Sequence, residues 1–447
     1  MSHESDVLNL IVDLLQKAKK SGAESADAVM VESLGVSMSR RLGQPETVER
    51  DESRGVGLRV LKGKRQAFVS SSDVSAQALE ELVERAVAMA SVSPEDPYVT
   101  LADEDVLAKD TLMLDLYDGQ EPDAEELADM ARRAEETALA VSGVTNSEGA
   151  DASYGTHTFA LATTNGFAES YRTSSSSLSV SVLAGEGTQM ERDYEYSVAR
   201  HFSDLMAPED IGRIAGERTI RRLNPRKVSS CEVPVVFDPR VGRSLLSSFA
   251  SAINGAAVAR KTSFLKDKMG QQVFNAVINV VDDPHRQRGL GSKPFDAEGV
   301  AGKKRYLAKD GVLTTWLLDL RSAKQLELST TGHATRGMAS PPSPSSTNLY
   351  IENGKISPKE MMADIKSGFY VTETFGMGIN TITGDYSQGA NGFWIENGVI
   401  SYPVSEITIA GNLNQMFAQM LPANDLEFKY GTNAPTLYVE RMTIAGT

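Results

Sequence analysis

The sequence predicts an α+β protein in which N-terminal α+β units precede a large, antiparallel, β-rich and barrel-like C-terminal domain. Helical and strand patterns alternate in the first half of the chain, as is typical of α+β units. From Thr372 to Asn412, apolar and small polar residues alternate with the period of a half-buried strand. Apolar residues also flank three dipeptides that favour tight hairpin turns, Asp310-Gly311, Asn353-Gly354 and Asn397-Gly398. The segments between them differ from one another, so we interpret them as successive hairpins of one antiparallel sheet or barrel rather than as propeller repeats.

The composition limits the classes of partner. The net charge of -15 and the isoelectric point near 5.0 argue against nucleic acid, because phosphates would be repelled. A single cysteine, Cys231, allows neither a disulfide framework nor a Cys-based zinc knuckle. The sequence contains neither a signal-peptide pattern nor an apolar run long enough to span a bilayer. We therefore expect a soluble, cytoplasmic protein with no membrane partner.

The first domain is expected over residues 1–91. An amphipathic helix at 4–20 and another at 75–89 would enclose strands, at residues 26–31, 35–41, 55–61 and 66–71. Residues 92–121 are acidic and contain SPEDP and QEPD, the composition of a linker.

The second α+β domain is expected over residues 122–225. A long helix at 123–141 and a helix at 208–223, with Pro208 in its first turn, would flank a group of strands, at residues 158–162, 167–172, 176–183 and 194–202.

The C-terminal β-rich domain is expected over residues 226–447. It would begin with a buried strand at 232–237 and a packed helix rich in Ser and Ala at 239–258. The later expected elements are, in order, a strand around 277–281, the three hairpins, a helix at 358–367 and a last strand at 436–444.

No short-range catalytic or metal motif stands out among these elements. The five histidines, His3, His157, His201, His285 and His333, lack the spacing of a helical zinc site. A zinc site assembled from distant parts of the chain is an alternative that the sequence leaves open. Gly384 to Gly389 has one residue too many for a serine-hydrolase elbow and favours a Gly-rich turn with a polar lining.

Several segments together resemble the TldD/PmbA family, in particular its PmbA (TldE) branch. They are GVGLRVLKGKRQAFVSSSDVS, MERDYEYSVAR, KPFDAEGV, KDGVLTTWLLD, GDYSQGANGFWIENGVISYPVSEITIAGNLNQMF and the terminal MTIAGT, and they occur in order along the chain. The resemblance implies a zinc-dependent peptidase of the bacterial cytoplasm, usually a pair of TldD-like and PmbA-like chains. It implies unfolded or extended peptides as substrates, including leader peptides of modified peptide natural products.

In the family, the zinc ligands are the histidines of an HExxxH motif in the TldD-like chain and a C-terminal cysteine. Here Ser247, Ser248 and Ala252 stand at the first histidine, the glutamate and the second histidine. The segment Asn424–Thr436 contains no cysteine. The resemblance therefore predicts no catalytic residue and no metal in this chain, with zinc in the partner subunit.

We accordingly expect a non-catalytic or dependent subunit that pairs with a TldD-like HExxxH chain, with a homodimer possible when it is alone. The Gly-rich wall Gly376–Gly392 is the predicted peptide-facing surface, and its contacts are expected at Gly384, Asp385, Ser387 and Gly389. Two alternatives stay open. One is a peptide-binding or scaffold protein without a proteolytic role, and the other is an autonomous metalloprotease with an unrecognised site.

Overall fold

The first half of the chain forms one sheet with helices on one face. The computed structural model describes residues 2–109 and 112–446, with side chains at the start of the chain described from Glu4 onward. The sheet has six strands in the order β3-β2-β1-β4-β5-β6. These are β1 (Ser25–Arg41), β2 (Gln44–Lys62), β3 (Arg65–Ser71), β4 (Val144–Thr163), β5 (Ala168–Ala184) and β6 (Glu191–Ala199). The helices are α1 (Ser2–Lys20), α2 (Ala76–Val92), α3 (Ala124–Ala140) and α4 (Pro208–Arg221).

Alternation along the strands separates the two faces of this sheet. Ala26, Ala28 and Met30 of β1 pack with α1 and α2 in one apolar cluster. Leu178 and Val180 of β5 pack with α3 and α4 in a second cluster on the same face. The opposite side, which we call the open face, turns Asp27, Val29 and their neighbours toward the C-terminal half of the chain.

The pairing of β1 with β4 joins the two predicted N-terminal units into a continuous sheet. The pairs run from Asp27 with Thr163 to Arg40 with Ala150. After Val92, which ends α2, the described part of the acidic segment 92–121 contains no helix or ladder strand, yet its backbone is held on both sides. Leu116 accepts a hydrogen bond from the amide of Ser174, and Val106 accepts one from the amide of Ala301. This segment is therefore attached to both halves of the molecule.

The C-terminal half is rich in β-structure, which confirms the predicted α+β fold class. Its longer strands are β7 (Cys231–Phe237), β14 (Ser367–Phe375), β15 (Asp385–Glu396), β16 (Val399–Asn412) and β19 (Leu437–Ala445). The shorter strands are β8 (Val280–Asp282), β9 (Arg305–Lys309), β10 (Val312–Leu313), β11 (Ala334–Thr335), β12 (Ser343–Pro344), β13 (Leu349–Ile351), β17 (Leu421–Pro422) and β18 (Thr432–Asn433). The helices are α5 (Pro239–Ala252), α6 (Gly255–Ala259), α7 (Leu320–Gln325), α8 (Pro358–Met362) and α9 (Leu413–Gln419).

Five of these strands close into a barrel. Their order is β16-β15-β14-β7-β19, and β16 also pairs with β19 from Thr408 with Ala445 to Ala410 with Thr443. β15 has no free edge, because it pairs with β14 on one side and with β16 on the other. The apolar side of α5 packs with the barrel strands, and Phe249 contacts Phe274 with ring centroids 4.8 Å apart.

Two of the three predicted hairpins form, although in different sheets. At Asn397-Gly398 both residues have positive φ, 50° and 81°, as a two-residue turn between twisted strands requires. Asp310-Gly311 turns in the same way between β9 and β10, which belong to a separate five-stranded sheet. The prediction of one sheet for all the hairpins was therefore wrong.

The predicted turn at Asn353-Gly354 was also wrong. The amide of Gly354 donates to the carbonyl oxygen of Ala423 at 2.7 Å. A Cβ at this glycine would lie 1.8 Å from the carbonyl oxygen of Pro422. The glycine thus permits close contact between two backbone segments rather than a hairpin turn.

The helix predicted over 239–258 is interrupted. α5 ends at Ala252, and Asn254 begins α6 by accepting hydrogen bonds from the amides of Ala256 and Ala257. The amide of Gly255 donates to the carbonyl oxygen of Leu317 at 2.8 Å. This tertiary contact, together with the cap, breaks the helix.

Candidate functional site: helix α5 and the segment beside it

Helix α5 is positioned by its first residues and by its apolar side. Asp238 caps it by accepting a hydrogen bond from the amide of Arg240 at 2.9 Å, and Pro239 occupies the first turn. Leu245, Leu246 and Phe249 are buried in the core of the C-terminal half. Arg243, Ser244, Ser247 and Ser251 lie on the more exposed side of the helix.

The three positions at which the family resemblance places the HExxxH motif lie on this helix, and both serines are hydrogen-bonded within it. Ser247 Oγ donates to the carbonyl oxygen of Arg243 at 3.0 Å. Ser248 Oγ donates to the carbonyl oxygen of Ser244 at 2.9 Å. Ala252 is fully buried and offers only a methyl group. Zinc in proteins takes thiolate, imidazole and carboxylate ligands, so this set of side chains does not fit the metal.

The segment Asn424–Thr436 lies beside α5. The guanidinium carbon of Arg243 lies 4.1 Å from the ring centroid of Tyr430, and Tyr430 is 5.1 Å from the ring centroid of Tyr196 on β6. Cys231 is on β7 and partly buried, and burial raises the pKa of its thiol. The aromatic and cationic groups therefore lie where the resemblance would place a cysteine ligand.

Two clefts flank the start of α5, with volumes of about 190 and 300 Å³. Arg240 lines both clefts. Its Nη1 donates to the carboxylate of Asp193 at 3.1 Å. Although burial lowers the pKa of Arg240, the carboxylates of Asp193 and Asp238 outweigh it and raise that pKa.

The larger cleft contains a network of ion pairs. Arg222 Nη2 lies 2.9 Å from the carboxylate of Glu373 on β14, and Arg222 Nη1 lies 3.5 Å from the carboxylate of Asp193. Arg222 Nε lies 3.4 Å from the carboxylate of Glu191. Because cations hold these carboxylates in place, the cleft has a fixed polar lining.

The histidines lie at separate places in the described structure. His333 is buried, with Nε2 3.2 Å from the carboxylate of Asp282 and Nδ1 2.8 Å from the hydroxyl of Thr331. His201 Nε2 lies 3.1 Å from the carbonyl oxygen of Asp115. Within residues 2–109 and 112–446, no three His, Cys, Asp or Glu side chains are grouped so that they could hold a metal ion.

The predicted peptide contacts lie on β15 and at its start, away from both clefts beside α5. The carboxylate of Asp385 accepts hydrogen bonds from Thr383 Oγ1 at 2.6 Å and Asn412 Nδ2 at 3.1 Å, which lower its pKa. The amide of Ser387 donates to the carbonyl oxygen of Gly378 at 2.6 Å, and Gly384 donates to Asn380 at 2.8 Å. A Cβ at Gly389 would lie 2.2 Å from the ring of Phe375.

These contacts hold the loop of residues 375–384, which we call the rim loop. In the amide orientation that satisfies both of its ends, Gln388 donates to the carbonyl oxygens of Gly376 and Phe375 and accepts from the amide of Gly378. Met377 and Ile382 of this loop are nevertheless exposed, with relative solvent-accessible surfaces of 101% and 56%. The β15 part of the Gly-rich wall therefore holds the rim loop in place, and the loop presents apolar side chains to solvent.

Sequence reasoning did not assign roles to Asp193, Arg222, Arg240 and Tyr430. The segment MERDYEYSVAR contains Asp193 and Tyr196, so the motif was visible. The contact between Asp193 of this segment and Arg240 of α5 joins residues far apart in sequence, and a local sequence pattern does not show such contacts.

Among the described helices, none has the length and the apolar character needed to cross a bilayer.

Family models match three parts of the chain: PmbA/TldA metallopeptidase domain 1 at residues 26–90, the central domain at 117–223 and the C-terminal domain at 230–446. Metalloprotease PmbA of Escherichia coli O157:H7 is 39% identical over 436 residues, covering 97% of this chain and 94% of that protein. The metalloprotease PmbA homologue of Haemophilus influenzae is 36% identical over 453 residues, covering 100% of this chain and 97% of that protein. A crystal structure from Bacteroides thetaiotaomicron, of a proposed modulator of DNA gyrase, has a TM-score of 0.91 with 27% identity and covers 98% of each chain.

The fold and the sequence define a metallopeptidase-like protein. The chain belongs to the PmbA/TldD family.

Proposed function

We propose that this chain is the subunit without a zinc site of its own in a two-chain PmbA/TldD-type metallopeptidase of the cytoplasm. Its partner is a TldD-like chain that carries HExxxH and zinc, and the substrates are unfolded peptides, including leader peptides. The observation that carries the proposal is the hydrogen bonding of Ser247 and Ser248 within α5, together with the buried methyl group of Ala252.

The rim loop supports the assembly part of this proposal. Exposed apolar side chains on a fixed loop are favoured where a partner covers them, since burial of apolar surface contributes roughly 25 cal/mol per Å². The hydrogen bonds of Gln388, Ser387 and Gly384 already hold the loop, so docking requires little further ordering. We assign this loop to the contact with the HExxxH chain.

Because β15 is paired on both sides, an extended peptide would meet its outward side chains rather than its backbone. Asp385 and Ser387 are both exposed and are the candidates for these contacts. In this proposal the chain forms one wall of the peptide chamber.

The deciding experiment is co-expression with an HExxxH homologue from the same genome, followed by cleavage assays on an unfolded peptide. The mixed complex is expected to cleave the peptide, and a chelator is expected to stop it. This chain alone is expected to hold no stoichiometric zinc by elemental analysis and to leave the peptide intact.

Other results would favour the alternatives. Equal cleavage by the HExxxH chain with and without this chain, and no mixed complex, would favour a scaffold protein. Chelator-sensitive cleavage by this chain alone would establish an autonomous peptidase.

A further inference from the structure

A third cavity, away from α5, lies between the open face of the N-terminal sheet and the loop of residues 289–293. Its volume is about 290 Å³, close to the lower end of the range for small-ligand sites. The sheet contributes His157 on β4 together with Tyr171 and Thr173 on β5. Arg200, directly after β6, and Lys293 of the loop complete the polar lining.

Arg200 and Lys293 give the lining of this cavity a positive charge. The protein has a net charge of -15, yet none of the described residues that line the cavity is Asp or Glu. In the part of the chain that the structure describes, the nitrogens of Arg200 donate to the main-chain oxygens of Ser174, Gly289 and Leu290. Lys293 Nζ donates to the carbonyl oxygen of Ala334 at 2.9 Å. Two partly buried cations are thus satisfied by neutral carbonyl groups.

Burial lowers the pKa of Lys293, and the carboxylates of Asp296 and Asp282 oppose that shift. Both carboxylates are hydrogen-bonded to other groups. The carboxylate of Asp296 accepts hydrogen bonds from the amides of Glu298, Val300 and Ala334. The carboxylate of Asp282 accepts from Thr347 and faces His333 Nε2. Neither carboxylate lines the cavity, whereas Lys293 and Arg200 do.

The remaining polar groups at the cavity can donate hydrogen bonds. Burial raises the pKa of Tyr171 to about 12, so its hydroxyl keeps its proton at neutral pH. Burial and the nearby Arg200 lower the pKa of His157, which leaves a neutral ring with one N–H donor. Tyr171, Thr173 and His157 come from paired strands and lie on the same face of the sheet.

The loop is held before any ligand arrives. Arg200 fixes the carbonyl groups of Gly289 and Leu290, and the amide of Gly291 donates to the side chain of Asn348 at 2.9 Å. The amide of Lys293 donates to the carbonyl oxygen of Pro284 at 3.0 Å. A preformed arrangement of cations and donors around a cavity is the chemistry that recognises oxyanions.

We propose that this cavity is a binding site for a small oxyanion, either a carboxylate or a phosphate group. Lys293 and Arg200 supply the positive charge, and Tyr171, Thr173 and His157 orient the anion. The site is separate from the α5 region and does not depend on the proposed peptidase role.

Isothermal titration calorimetry of the full chain tests this proposal with three probes. They are inorganic phosphate, N-acetyl-alanyl-alanine with a free carboxylate, and the same dipeptide as its C-terminal amide. Saturable binding of either anion, without binding of the amide, is expected, and the anion that binds identifies phosphate or carboxylate as the ligand group. Absence of binding by both anions would overturn the proposal.

Single substitutions test whether the anion binds in this cavity. Lys293→Met keeps the length of the side chain and removes its charge, and it is expected to weaken anion binding by at least about tenfold. The matched control is Arg172→Met, because Arg172 lies between Tyr171 and Thr173 on β5 but on the other face of the sheet, over the ring of Tyr117. This control is expected to bind the anion as the parent does.

Equal losses in both variants, or unchanged binding by folded Lys293→Met, would contradict the assignment. If Lys293→Met does not fold, Tyr171→Phe decides the question, since it removes one hydroxyl and keeps the ring contacts. Weaker anion binding by this variant supports the site, and unchanged binding overturns it.

Discussion

The guanidinium carbon of Arg243 lies 4.1 Å from the ring centroid of Tyr430. This cation–π contact joins α5 to the segment Asn424–Thr436, and the resemblance to the family places zinc ligands on both of these elements. A catalytic site could be rebuilt here only if three donors replaced side chains that now pack or hydrogen-bond with one another.

Restoring the motif is therefore expected to fail. The triple variant Ser247→His, Ser248→Glu, Ala252→His should be less stable than the parent by about 1–3 kcal/mol, because a ring at the buried Ala252 overpacks the core. The third ligand would still be missing, so no peptidase activity is expected. Urea unfolding and a peptide-cleavage assay with added zinc check both parts, and zinc-dependent turnover by this variant alone would contradict the prediction.

Met377→Asp is expected to weaken association with an HExxxH chain by at least about tenfold, because it places a charge on the exposed rim loop. Thermal unfolding of the isolated chain should change little, since Met377 is fully exposed. The matched control is Val399→Asp, an exposed apolar position next to the Asn397-Gly398 turn, at the other end of β15. Analytical ultracentrifugation of the mixed chains measures both variants, and equal effects would remove the rim loop from the interface.

Asp27→Asn is expected to destabilise the fold by about 3–5 kcal/mol, since it leaves two buried guanidinium groups without their shared carboxylate. Asp27 is buried between Arg59 and Arg336, and Arg336 belongs to the C-terminal half. Asp96→Asn is the matched control because Asp96 and Arg321 form a more exposed pair, 2.6 Å apart, between the same halves. Its loss should cost about 1 kcal/mol or less in urea unfolding.

Glu135→Gln is expected to lower the free energy of unfolding by about 1–3 kcal/mol at pH 7. Burial raises the pKa of Glu135, but hydrogen bonds from the amides of Gly43 and Leu42 and from the hydroxyl of Ser147 outweigh it and hold that pKa below its usual 4.5. A depressed pKa in the folded state contributes stability above the unfolded pKa, and this contribution is lost as the pH falls through the folded value. The difference between parent and variant should therefore shrink below pH 4.5, in urea titrations across that range.

The exposed neighbour provides the control for this titration. Glu136 pairs with Arg132 one turn away on the surface of α3, and Glu136→Gln should change stability by no more than about 0.5 kcal/mol. A similar pH dependence in both variants would show that the Glu135 contacts do not cause it.

Local patterns predicted the elements well where local physics decides them. The helix expected at 123–141 is found at Ala124–Ala140, because Asp123 and Glu126 form a capping box and an apolar stripe follows. The Asn397-Gly398 turn forms because both residues tolerate positive φ. Contacts between distant segments decided the rest, as Gly354 against Pro422 shows.

The same limit applies to the site. Serine and alanine at 247, 248 and 252 were visible in the sequence through the family resemblance. The Arg243–Tyr430 contact and the oxyanion cavity join residues more than a hundred positions apart, and the sequence pattern contains no signal for such pairs.

The order of strands in the closed barrel also has a consequence for synthesis on the ribosome. β7 lies between β14 and β19, and β19 is the last barrel strand to leave the exit tunnel. Until then, the nascent chain carries unpaired edges on β7 and β16, which are templates for pairing with other chains. The N-terminal sheet, whose strands are all complete by Ala199, can fold earlier. Co-translational protection of this protein is thus needed mainly for the interval between the emergence of β16 and that of β19.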